Sequence, residues 1–231
     1  MACRFPILTI SLLNLSSNPT GLFMHKIFIA LNFYFLPCIL FAQQNTTDSS
    51  GSKWSFSTSG YYYFIPEDEN TFTLIGSADY KKLHLEARYN YEDQNTASAF
   101  AGWRFETGNK FQFGATPMLG FAVGNTDGFV PALELDASYK ILDFYSESEY
   151  LVDFASKENN FFYVWSELAI TPVDALRTGI SIQRTRLYQT ERDVQGGIFA
   201  EYSFWKLTVG AYYFNPFASD NFVIASLSVD F

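Results

Sequence analysis

Residues 222–231 read Phe-Val-Ile-Ala-Ser-Leu-Ser-Val-Asp-Phe. Val223, Ala225, Leu227, Val229 and Phe231 are apolar at every second position, and the positions between them include Ser226, Ser228 and Asp230. Successive side chains of a strand point to opposite faces, so this period of two predicts a strand with one apolar and one more polar face. The stretch closes the sequence on an aromatic with no polar tail, which is unusual for a soluble protein.

Worked backwards from this stretch, the chain reads as strands separated by polar or Gly/Pro turns, with almost no helical periodicity. Twelve strands are predicted: 53–65, 71–80, 83–91, 96–105, 111–121, 129–140, 142–152, 161–171, 176–188, 194–204, 207–214 and 222–231. Ten is the alternative count, because 96–105 and 111–121 are weakly patterned. The cleanest alternation sets Leu83, Leu85, Ala87, Tyr89 and Tyr91 against His84, Glu86, Arg88 and Asn90. The connections alternate too. Tight turns at 81–82, 108–109, near 141, at 172–175 and at 205–206 interleave with longer, more polar loops. Short turns at one end and longer loops at the other are the pattern of membrane-spanning β-barrels. An even count places both chain ends at the short-turn end. Aromatics near strand ends (Trp54, Tyr62, Tyr80, Tyr91, Trp103, Tyr139, Phe144 and Tyr213) suit the two membrane interfaces.

The composition agrees. Aromatic residues are 19% of the chain, charged residues 17%, and the net charge is −9. An acidic balance argues against nucleic acid, which needs a basic surface. Residues 24–42 read as a signal peptide: Met24-His25-Lys26 is a short basic start, 27–41 is an apolar run, and Ala42 offers a small residue before a cut. The run is shorter than the ~20 residues of a spanning helix. Met24 is read as the true start and 1–23 as an upstream mis-start. A short linker at 43–52 then precedes a barrel domain at 53–231. Both cysteines, Cys3 and Cys38, fall before this domain, so the exported chain has no disulfide framework.

Alternation also assigns the lining. With Leu133, Leu135 and Ala137 facing lipid, Glu134 and Asp136 face inward; with Leu142, Phe144 and Tyr150 outward, Glu147 and Glu149 face inward; Glu167 follows on the next strand. The opposite choice would place ionised groups in hydrocarbon. Five clustered acids need countercharges or raised pKa values. Arg184 and Arg186, on the strand beside Glu167, are the candidates. Strict alternation from Ile180 and Ile182 points both outward, and a bulge is invoked to bring them in. Glu86, Arg88, Arg104 and Glu201 point inward by the same rule, and Tyr163, Trp165, Phe199 and Tyr212 are expected to fill part of the lumen.

No catalytic motif appears. His84 is the one histidine of the barrel domain, inward-facing beside Glu86 and close to a tight turn, a placement that suits a lumen hydrogen bond better than lipid catalysis. No metal-ligand spacing is seen, because a zinc site takes several His or Cys ligands. No cofactor is expected. The 124–128 segment is turn chemistry, since no helix follows it.

Over residues 24–231 the chain resembles Gram-negative outer-membrane β-barrel proteins of the Bacteroidota type. The stretches 116–120 (Thr-Pro-Met-Leu-Gly) and 160–168 (Asn-Phe-Phe-Tyr-Val-Trp-Ser-Glu-Leu) and the Phe41-Ala42-Gln43 region contribute to the likeness. The resemblance implies an all-β, antiparallel up-and-down transmembrane barrel in the cell outer membrane. Its partners would be outer-membrane lipid and lipopolysaccharide, the insertion machinery that reads a terminal aromatic strand, and small polar solutes. The functional expectation is a small passive porin-like channel for polar or cationic solutes. The alternatives are a closed structural or adhesion barrel acting through its loops and, behind it, a lipid-modifying enzyme.

Overall fold

The computed structural model describes residues 54–66, 69–185 and 194–231. The predicted leader, the stretch before it and the linker lie outside the described residues, as does Arg186. The strands run β1 (Ser55–Phe64), β2 (Thr71–Tyr80), β3 (Leu83–Tyr89), β4 (Ala97–Trp103), β5 (Phe105–Gly108), β6 (Phe111–Val123), β7 (Gly128–Tyr139), β8 (Leu142–Asp153), β9 (Phe161–Val173), β10 (Leu176–Arg184), β11 (Gln195–Phe204), β12 (Leu207–Phe214) and β13 (Phe222–Asp230). Apart from β4 and β5, each pairs antiparallel with its chain neighbours, and β1 pairs with β13. β4 and β5 both pair with β6 and are two segments of one wall strand, interrupted at Arg104. The result is a closed barrel of twelve spanning strands. Closure pairs every strand edge, which a bilayer demands of any sheet that crosses it.

The outer face is apolar because the strand period puts it there. Leu74, Leu119, Phe121, Leu168, Ile180, Ile182, Ile198, Val209 and Leu227 are all exposed on it. Ile180 pairs with Leu168 on one side and Ile198 on the other, making a continuous apolar band. The few hydroxyls on this face satisfy one another or the backbone: Ser146 and Ser166 share a 2.8 Å hydrogen bond, and Thr178 donates to the Phe199 carbonyl at 2.6 Å. Exposed aromatics fringe the band, with Trp54, Trp103, Tyr139 and Trp205 toward the tight turns and Tyr62, Tyr89 and Tyr150 toward the loops. Tyr91 departs from the interfacial position expected of it. Asn90 takes a positive φ of 56°, which breaks the alternation after β3 and carries the buried Tyr91 ring into the lumen.

The two-residue turns at 81–82, 140–141 and 205–206 share one geometry, a positive φ at the first residue. A single positive φ at that place is the pattern of the type II′ hairpin, which matches the right-handed twist of the flanking strands. Asn90, Asn95 and Asn215 hold the corresponding left-handed positions at the loop end, where asparagine is the favoured non-glycine residue.

The lumen is filled differently at its two ends. Toward the loops Tyr163, Phe199, Tyr212, Phe214, Phe222 and Ile224 form one buried apolar cluster, and Phe100, Met118, Val130 and Leu151 form a second. Toward the tight turns the lining is polar: Ser57, Ser59, Ser77 and His84.

Candidate functional site: the charged lumen

A cavity of about 440 Å³ runs along the inner wall from Ser57 and Ser77, near the tight turns, to Tyr63 and Tyr91, near the loops. Glu86, Glu134, Glu147, Glu167 and Glu201 line it, with Arg177 the guanidinium among the lining groups. The alternation of β3, β7, β8, β9, β10 and β11 brings these side chains inward.

Two arginines organise the acids. Arg88 is buried and contacts three carboxylates: Glu86 at 2.5 Å, Glu147 at 2.6 Å and Glu149 at 2.9 Å. Its guanidinium is held between two rings, 4.5 Å from the Tyr91 centroid and 4.2 Å from that of Phe100. A planar cation over ring faces gains from the quadrupole of each ring, most when water is excluded. Glu147 also accepts from the Tyr91 hydroxyl at 2.8 Å. Tyr145 donates to Glu134 at 3.0 Å, tying β7 to the same group.

The second network centres on Arg177. Its Nη1 donates to Glu167 at 2.5 Å and Glu201 at 2.9 Å, and its Nε donates to Asp143 at 2.8 Å. Trp165 and Tyr212 donate to Glu167 and Glu201 at 2.9 Å and 2.7 Å. Three carboxylates thus share one guanidinium, as four lumen acids share Arg88 and its surroundings.

Of the five acids expected in the cluster, Glu134, Glu147 and Glu149 gather around the Arg88 group, and Glu167 joins Arg177. Asp136 faces inward but sits apart, bound to Arg104 at 2.8 Å near the tight-turn end. The expected role of Arg184 is corrected. It follows Ile180 and Ile182 onto the outer face, and its Nη1 donates to the Phe162 carbonyl at 2.5 Å. No bulge intervenes between Ile180 and Arg184, where the register with β9 is unbroken. Arg177 and Arg88 supply the countercharge instead. Arg177 was the residue missed, although counting back from Ile180 by odd steps places it inward. Val223, Ala225, Leu227 and Val229 of β13 share the outer face with Phe231 just after it, and the Phe231 amide donates to the Phe56 carbonyl at 2.9 Å.

One acid lies above the strands. Glu92, in the connection between β3 and β4, is fully buried; Ser98 donates to its Oε1 at 2.5 Å, while Oε2 has no hydrogen bond. Burial pushes its carboxyl above the ordinary range. Folding therefore favours the protonated form, and this group subtracts stability as pH rises above the free carboxylate value of about 4.3. Glu92→Gln is expected to stabilise the barrel by about 1 kcal/mol at neutral pH, the scale of one unpaired buried polar group. Urea titration at two pH values checks this: the gain should shrink at acid pH.

No protein-family model matches the chain, and no curated protein does. Solved structures do. A KdgM porin in complex with disordered oligogalacturonate is similar at 13% identity and a TM-score of 0.55, over 76% of this chain and 99% of that one. A second structure, of the KdgM porin, gives 12% identity and a TM-score of 0.54, over 76% and 98%. At such identity the likeness is one of fold. The shared fold is a closed antiparallel β-barrel.

Proposed function

We propose that this barrel is a narrow, passive porin-like channel of the cell outer membrane for small cationic or polar solutes, and not an enzyme. The observation that carries the proposal is the charge of the cavity wall, where five carboxylates stand against two guanidiniums, Arg177 in the lining and Arg88 buried behind it. Field lines from like charges in a low-dielectric wall concentrate counter-ions in a cleft. The solute is therefore expected to differ in charge from the oligogalacturonate of the KdgM complex. A uronate chain is anionic by its chemistry, and this wall disfavours it.

The leader at 24–42 delivers the chain for export in this reading, and the apolar-faced 222–231 strand engages the insertion machinery. The Bacteroidota-type character suggested by the sequence belongs to the same proposal. A second reading is favoured by the buried aromatic clusters of the loop half, which suit a closed barrel that acts through its loops.

Planar-bilayer recording separates the two. The Glu167→Gln, Glu201→Gln double variant leaves the Arg177 guanidinium with Asp143 as its one carboxylate partner of the three. Its preference for cations over anions is expected to fall relative to the unmodified barrel. An unchanged ion preference would sink the role given to these acids, and silence in both proteins would favour the closed barrel.

A further inference from the structure

We propose that His84, Glu86 and Glu134 form a binding site for a divalent transition-metal cation, with Asp79 orienting the histidine. The site lies in the lumen near the tight-turn end and joins β2, β3 and β7. One ligand atom from each of His84, Glu86 and Glu134 lies within 4.8 Å of the others.

The independent observation is the state of the His84 ring. The residue is only 7% exposed. Its Nδ1 lies 2.7 Å from Asp79 Oδ1 and donates to it when the ring is neutral. That tautomer leaves a lone pair on Nε2, and Nε2 is buried with no hydrogen bond. Glu86 Oε1 lies 3.4 Å from it. A cation at this place, either a proton on Nε2 or a metal ion, satisfies both groups, and the inward aim of the buried Nε2 at two carboxylates is what suits it to a metal. A ligating histidine whose other ring nitrogen is held by a carboxylate is the usual outer-shell arrangement of protein metal sites.

The spacing fits. Ligands about 2.1 Å from a tetrahedral zinc stand roughly 3.4 Å apart, the separation already present between His84 and Glu86. The Glu134 carboxylate lies within 4.8 Å of both, in the same pocket. One imidazole and two carboxylates leave a fourth position open to the cavity, and this nitrogen and oxygen donor set suits zinc and its first-row neighbours. The surrounding charge supports a cation. Asp79, Glu86, Glu134 and Glu147 face the site, and Arg88 is already divided among Glu86, Glu147 and Glu149. The site stands on its own geometry whether or not the barrel conducts.

The test is calorimetric titration of the folded full-length barrel in detergent with Zn²⁺, in buffer free of chelator. One saturable site of micromolar or tighter affinity is expected. His84→Asn and Glu134→Gln each should weaken binding by about 100-fold, and Asp79→Asn by about 10–100-fold, the range for lost outer-shell partners. Glu158→Gln, in an exposed loop, should leave affinity unchanged. Heat-shifted migration establishes that each variant is folded, and Glu134→Gln serves if His84→Asn fails to assemble. Absence of saturable binding would overturn the proposal, leaving a proton as the occupant between His84 and Glu86. Unchanged affinity in folded His84→Asn or Glu134→Gln barrels would overturn it equally.

Discussion

Replacing Arg88 by methionine is expected to destabilise the folded barrel by about 3–5 kcal/mol, the cost of stranding buried charge when one partner of an ion pair is removed. The side chain is buried between Tyr91 and Phe100 and touches Glu86, Glu147 and Glu149. Methionine fills a similar volume, so the loss isolates charge from packing. The carboxylates left behind have little water to turn to: Glu147 Oε1 is buried with Arg88 as its ion-pair partner, and Glu149 Oε1 is already buried without a hydrogen bond. Adding Glu147→Gln and Glu149→Gln to Arg88→Met should recover much of the loss, because the triple variant no longer buries the excess charge. Urea unfolding in detergent micelles, followed by heat-shifted migration, measures both. A cost for Arg88→Met under about 1 kcal/mol, the scale of a solvated surface pair, would mean that water reaches these groups and that the lumen is wider than the packing indicates.

The second large effect belongs to the outer face. Ile180→Arg is expected to cost about 2–4 kcal/mol, the penalty for a cation on the lipid side of a barrel at mid-depth. Ile180 sits in the middle of β10, directly between Leu168 and Ile198, and is half exposed on the apolar band. Trp205→Arg, in a tight turn where the ring is largely exposed, should cost no more than about 1 kcal/mol, as near the interface. Refolding equilibria in bilayers of defined composition give the comparison. Equal effects at the two positions would contradict the placement of the apolar belt.

The fold was legible because a period of two is unambiguous when one side must face hydrocarbon. The 222–231 stretch announces it, and the alternation of tight turns with longer loops sets the strand number. The weakly patterned fourth strand proved to be two segments broken at Arg104, and it still crosses the wall once. Alternation also brought Glu134, Glu147, Glu149 and Glu167 to the inner face. It misled only where a charge argument was allowed to override it: Arg184 was turned inward to meet the acids, while the unbroken register holds it outside. Tyr91 was misplaced for a different reason, since the left-handed turn at Asn90 is a backbone event that side-chain periodicity does not report. What no linear pattern shows is which inward residues meet across the bore. Asp79, His84, Glu86 and Glu134 come from three strands, two of them not adjacent in the wall. Their juxtaposition depends on closure of the barrel, and the spacing of ligands along the chain carries no trace of it.

The most direct measurement for the channel reading is the reversal potential of the unmodified barrel in a planar bilayer under a potassium chloride gradient. An acid-lined bore narrowed by the Tyr163, Phe199, Tyr212 and Phe214 cluster predicts small unitary currents whose reversal potential takes the sign of a cation preference. No current from protein shown to be folded and inserted, or a reversal potential of the anion-preferring sign, would contradict it.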